Sequence, residues 1–199
     1  MTQLTTRNFS AFFLCLVGGA ACAQRRPAAL TETSVRSVET PSALAVLSQA
    51  QAESGLPGEI TFGDPRGRSA LFLRFPSAWR AQGAPLRAFL VLEPRVGSAP
   101  DPEPVSVEAW RVRSPWQGSA MHVWSDKPEL APPHARAVAS GSPARELRID
   151  VTALLRFAGD NPALDQGIAL IATRGDGHGV SFATGIDGGA APRLEVYTR

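Results

Sequence analysis

The stretch "ELRIDVTALLRFAGDNP", Glu146 to Pro162, decides the fold. Its first half has a period of two: Leu147, Ile149 and Val151 fall on one face of an extended chain, and Arg148, Asp150 and Thr152 on the other. A strand with one packed and one wet face has this pattern. After Val151 the rhythm changes. Leu154, Leu155 and Phe157 suit a turn and a half of helix closed by Gly159 and Pro162, predicted over Thr152 to Ala158. Asp150 stands where a cap would accept the first free amides.

Outward from this stretch, short apolar runs alternate with breaks rich in glycine and proline. "ALAVLSQA", "EITFG", "SALFLRF", "LRAFLVLEP", "VSVEAWRV", "AMHVWS" and "RAVAS" precede it as expected strands, and "GIALIATR", "VSFATG" and "RLEVYT" follow. Their spacing fits an all-β antiparallel sandwich. "LRAFLVLEP" is apolar on both faces, as an interior strand of two packed sheets should be. The 17 prolines sit mostly between the runs, where no ladder hydrogen bond is forfeited. Alternation predicts Leu71, Leu73, Leu90, Leu92, Ile149, Val151 and Leu170 as core.

With 199 residues, 44% of them hydrophobic, the chain can bury one core. Residues 1–23 read as a signal peptide: Arg7, an apolar run from Phe9 to Val17, then small residues. That run is short of the roughly 20 residues of a membrane-crossing helix, so no transmembrane span is expected in the mature chain. Ala21-Cys22-Ala23 offers ordinary cleavage, and Gly19-Ala20-Ala21-Cys22 offers the alternative of a lipoprotein acylated on Cys22. Residues 24–40 read as a tether or a divergent first strand, and 41–199 as the sandwich domain. The expected location is secreted, periplasmic or outer-membrane-tethered. Cys15 and Cys22 are the only cysteines, which leaves residues 24–199 without a disulfide or a thiolate metal site. Lys127 is the sole lysine, and removal of Arg7 leaves 19 basic residues against 18 acidic. No basic run tracks phosphates, so nucleic acid is not an expected partner.

Taken in order, "SALFLRFP", "PLRAFLVLEPRV", "VSVEAWRVRSPW", "MHVWSDKPEL", "LRIDVTALLRFAGDNPALDQGIALIA" and "SFATGIDGGAAPRLEVYTR" resemble the DNRLRE (disaggregatase-related) family of extracellular β-sandwich modules, some grouped with carbohydrate-binding modules. The resemblance runs from about Ser69 to Tyr197, anchored by Asp150-Val151-Thr152 and Pro192-Arg193-Leu194. It implies a jelly-roll-like sandwich serving as a non-catalytic secreted or cell-envelope module, polysaccharide-binding or structural at the surface, with polysaccharide or another cell-surface component as partner. An exported polysaccharide lyase or hydrolase, and a protein-adhesion module, are the alternatives.

Trp79, Trp116, His122 and Trp124 are the candidate ligand-binding residues. Trp79, in the polar setting "PSAWRAQG", is the best candidate for an exposed ring. Trp116 and Trp124 read first as packing at the sheet edge, with Pro115 and Pro128 ending their strands, because a buried indole contributes large apolar area. Alternation would put His122 on the same face as Trp124. Trp110 reads as core. His122, His134 and His178 lack metal-ligand spacing, so no cofactor is expected. Asp150, Asp160, Asp165 and Asp187 could offer oxygen to calcium, but no D-x-D-x-D run supports it. Arg174-Gly175-Asp176 reads as turn chemistry. There is no G-x-S-x-G elbow, and no catalytic residue is assigned.

Overall fold

Leu147 and Ile149 are buried while Arg148 and Asp150 are exposed, so the alternation that opened the sequence reading is a real strand. The structure, a computed structural model, describes residues 35–49, 58–95, 103–139, 145–172 and 179–199. The signal-peptide reading of residues 1–23, Cys22 with it, lies outside the described residues, as do Arg174-Gly175-Asp176 and His178. The described strands are β1 (Val35–Glu39), β2 (Ala43–Ser48), β3 (Glu59–Phe62), β4 (Ser69–Arg74), β5 (Arg87–Leu92), β6 (Val105–Val112), β7 (Leu130–Ala139), β8 (Leu147–Asp150), β9 (Ile168–Ala172), β10 (Val180–Ala183) and β11 (Arg193–Thr198). One helix, α1 (Thr152–Asp160), stands where the sequence placed it.

Two antiparallel sheets face each other, ordered β1-β11-β5-β8 and β2-β4-β9-β6-β7. Without β2 and the β3–β10 ribbon, eight strands remain. Each of their sheets interleaves strands from both halves of the chain, β1-β11-β5-β8 against β4-β9-β6-β7. This is the double-wound arrangement of a jelly roll. The β3–β10 ribbon prolongs β5: the Ala183 amide donates to the Glu93 carbonyl and the Arg95 amide to the Ser181 carbonyl, both at 3.0 Å.

The space between the sheets holds the main core. Leu71, Leu73, Leu90, Leu92, Ile149, Val151 and Leu170 are all 0% exposed there, and each such side chain contributes roughly 1.5–3 kcal/mol of burial. Helix α1 closes one end with Leu154, Leu155 and Ala158. Asp150 accepts the Thr152 amide at 3.0 Å and the Thr152 hydroxyl at 2.5 Å, while that hydroxyl accepts the Ala88 amide at 2.9 Å. The helix start is thereby tied to β5; the N-cap position itself falls to Val151, which offers no side-chain cap, and Asp150, one residue outside it, takes a single helical amide rather than the several expected of it.

Three features depart from the sequence reading or resolve it. Of the two readings for residues 24–40, the described part is an edge strand: β1 pairs with β11, so the sandwich extends back beyond residue 41. "RAVAS" belongs to a longer strand that begins at Leu130 and runs through Pro132 and Pro133. β7 is an edge, where a missing amide costs no ladder bond, and the register with β6 shifts beside the prolines, between Trp110 and Arg111. "AMHVWS" is not a strand. It folds as 3-10 turns at Gly118–Ala120 and Trp124–Asp126, because the Asp126 carboxylate accepts the His122 amide at 2.9 Å and the Val123 amide at 3.0 Å, donors that a ladder would have needed.

Candidate functional site

Residues 113–129, between β6 and β7, lie across the outer face of the five-stranded sheet. There Ala45, Leu47, Ala70, Phe72 and Ala169 form a second apolar cluster with Trp116 and Met121. β4 is thus covered on both faces, Leu71 and Leu73 inward and Ala70 and Phe72 outward. The segment passes close to β2: a Cβ on Gly118 would stand 3.0 Å from the Leu44 carbonyl oxygen.

Trp116 is 6% exposed, 6.0 Å from the Phe72 ring, and its indole N–H donates to the Gln166 carbonyl at 2.6 Å. It packs as expected, although past the end of β6 rather than on a strand. Trp124 is half-buried against the same cluster, and His122 is exposed. With no strand through 120–125, the face that alternation assigned to His122 and Trp124 does not exist. The third ring needs a stronger correction. Trp79 is 3% exposed, in a 3-10 turn at Ala78–Gln82, and belongs to the main core. Its polar neighbours Ser77 and Gln82 stay on the surface while the ring turns inward. The Trp79 amide donates to Glu39 Oε1 at 2.8 Å, whereas Glu39 Oε2 is buried without a partner. Burial pushes the Glu39 carboxyl above its ordinary range, against the opposing pull of the Trp79 amide and Arg80.

The ring that sequence reasoning placed in the core faces outward instead. Trp110 pairs in register with Ala169 and His134 on the outer face, is half-buried, and stacks on His134 with centroids 4.2 Å apart and planes 14° from parallel. Its indole N–H donates to Glu108 Oε2 at 3.0 Å, and Arg136 pairs with the other oxygen of Glu108. The hydrogen bond from Arg136 holds the Glu108 carboxyl below its ordinary range. The charged Glu108 two residues before Trp110 was the sequence signal that this face is wet.

Beside the covering segment runs an open cleft of about 710 Å³, lined by Arg74, Trp116, Asp126, Lys127, Glu129 and Gln166 among others. The Arg74 guanidinium lies 4.9 Å from the Trp116 ring centroid and donates to the Trp116 carbonyl at 3.1 Å; its Nε is buried without a partner.

The outer face of the four-stranded sheet carries a different arrangement. Glu195, 1% exposed, receives Arg36 at 2.5 Å, Arg148 at 2.8 Å and Arg193 at 3.3 Å. Burial raises its carboxyl and the three arginines more than reverse that, leaving the net shift downward. Arg148 also lies over Phe89, which meets Tyr197 edge to face.

Among the described residues no three His, Cys, Asp or Glu side chains group as a metal site. Asp165 pairs with Arg80, Asp187 with Arg95, and Asp150 with Thr152. No helix among the described residues is long and apolar enough to cross a membrane. These features define a jelly-roll sandwich with an aromatic and charged strip on one outer face. No protein-family model matches the chain, and no curated protein matches it.

Proposed function

We propose that this protein is a non-catalytic, exported module that binds polysaccharide at the bacterial surface, as its resemblance to DNRLRE modules implies. The observation that carries the reading is the Trp110–His134 stack on the uncovered part of a sheet face, flanked by Glu108 and Arg136. A partly exposed indole with a stacked imidazole beside it offers apolar ring surface to the C–H face of a sugar. Charged groups at its rim accept from and donate to hydroxyls, and charge-assisted hydrogen bonds are the strong ones. The ligand residues under this reading are Trp110, His134, Glu108 and Arg136, in place of Trp79, Trp116, His122 and Trp124.

The test is retardation of the full chain in gels cast with soluble polysaccharides. Wild type is slowed by at least one polymer, and Trp110→Ala, which leaves both apolar clusters untouched, is not. Equal retardation of the two proteins would remove the site, and no retardation by any polymer would remove the function.

A further inference from the structure

The two main sheets end in four edge strands, β1 and β8 in one, β2 and β7 in the other. An open edge is a template for another strand, and folded proteins blunt it with prolines, bulges, short strands or a covering segment. Three of the four edges are blunted. β7 carries Pro132 and Pro133 and a register shift against β6. β8 is only four residues long. β2 is approached by residues 113–129, with Gly118 close against the Leu44 carbonyl. β1 has none of these: its five residues include no proline and pair with β11 without a register shift.

The ladder fixes which groups of β1 are free. The Tyr197 carbonyl accepts the Leu86 amide at 2.8 Å, so the main chain of Tyr197, and by alternation of Glu195, faces β5. Their register partners Arg36 and Val38 therefore turn their own amides and carbonyls to the open edge. Both of these side chains are exposed on the outer face. On the inner face of the same strand, Ser37 Oγ and Glu39 Oε2 are buried, and neither has a hydrogen-bond partner.

We infer that β1 pairs edge to edge, antiparallel, with β1 of a second copy of this chain, centred on Val38, so that two four-stranded sheets join across a two-fold axis. In that register Val38 exchanges main-chain hydrogen bonds with Val38 of the second copy, and the two exposed apolar side chains cover each other. Ser37 falls opposite Glu39 of the second copy in a non-hydrogen-bonded pair, where side chains are closest, so each serine hydroxyl donates to the carboxylate oxygen that lacks a partner. Arg36 falls opposite Thr40, and no like charges meet. A register centred on Arg36 would instead set two guanidiniums face to face. The ladder is short, so the dimer gives way to monomer on dilution. This inference is independent of the polysaccharide reading.

The experiment measures the mass of the full chain by analytical ultracentrifugation over a range of concentrations. Wild type passes from monomer to dimer. Ser37→Ala weakens the dimer about tenfold, the loss of one hydrogen bond from each of two symmetric contacts, while the melting temperature of the dilute protein does not fall. The register is read by oxidation of chains carrying Cys15→Ser and Cys22→Ser. Val38→Cys in that background gives a disulfide-linked dimer, since directly opposed residues stand about 5.5 Å apart at Cα. Arg36→Cys does not, because the two copies of that position lie about 13 Å apart along the strands. A monomer at every concentration refutes the pairing. A dimer that Ser37→Ala leaves as tight as wild type, or that cross-links through Arg36→Cys and not through Val38→Cys, refutes this register and its contacts.

Discussion

On the outside of the five-stranded sheet Leu47 and Phe72 lie in one cluster with Trp116 and Met121; on the outside of the four-stranded sheet Glu195 lies under three arginines. Both faces belong to strands with apolar residues on each side. One face is made dry by an apolar covering segment that adds a second core. The other is sealed by an ion network whose central carboxylate is 1% exposed and whose arginines reach back to water. Hydrophobic cover contributes through area removed from water and ignores pH. The ionic cover contributes only while Glu195 is charged and must offset its desolvation. The candidate binding strip lies on the first face, at Trp110 and His134, and is aromatic and charged together.

The sharpest way to break this contrast is to uncover the apolar side. Trp116→Ala should cost about 3–5 kcal/mol, the range for truncating a large buried aromatic, read from urea denaturation. Trp124→Ala, half-buried, should cost roughly half as much. A Trp124 effect as large as that of Trp116 would make the two rings equal parts of the cover.

On the ionic side, Glu195→Gln should destabilise by about 3 kcal/mol at neutral pH, since it leaves arginines without their shared anion. The arginine side chains are 25–51% exposed, so added salt should reduce the difference. The Glu195 carboxyl is held below its unfolded range, so its contribution is present above that range and is lost as pH falls through the folded value. The wild type should therefore approach the variant in acid, whereas the Trp116→Ala deficit should stay constant with pH.

Glu39 has the opposite sign. Its carboxyl is raised by burial, so the folded state holds the proton longer, and stability falls as pH climbs from the ordinary carboxylate range through the raised value. Across that window wild type should lose stability relative to Glu39→Gln. Parallel pH–stability curves for the two proteins would show that Glu39 is not desolvated. The smallest effect on stability belongs to Trp110→Ala, within about 1 kcal/mol because its ring covers only an outer face.

Alternation made β4, β8 and the helix start legible in the sequence, since side-chain period and cap chemistry are local. It could not say which side of β6 is inside. Val107 and Ala109 face one way and Trp110 and Val112 the other, and every one of the four is apolar, so only the sheet packed against them decides. The failed strand at 120–125 has a different cause: Asp126 captures its amides from a few residues downstream, a contact no period reveals. Trp79 was misplaced because its partner Glu39 comes from a strand 40 residues away. The Trp110–His134 pair depends likewise on the register of β6 with β7, which shifts beside two prolines.

One consequence follows from the ladder between β1 and β11, in which Val35 stands directly opposite Thr198. The first and last described strands thus have their outer ends side by side, and the strands are antiparallel. Force applied between those two ends would open the ladder pair by pair from that end, like a zipper, instead of shearing all its hydrogen bonds at once. Joined by a short loop, the same two ends would cost little closure entropy, so the sandwich is suited to circular permutation.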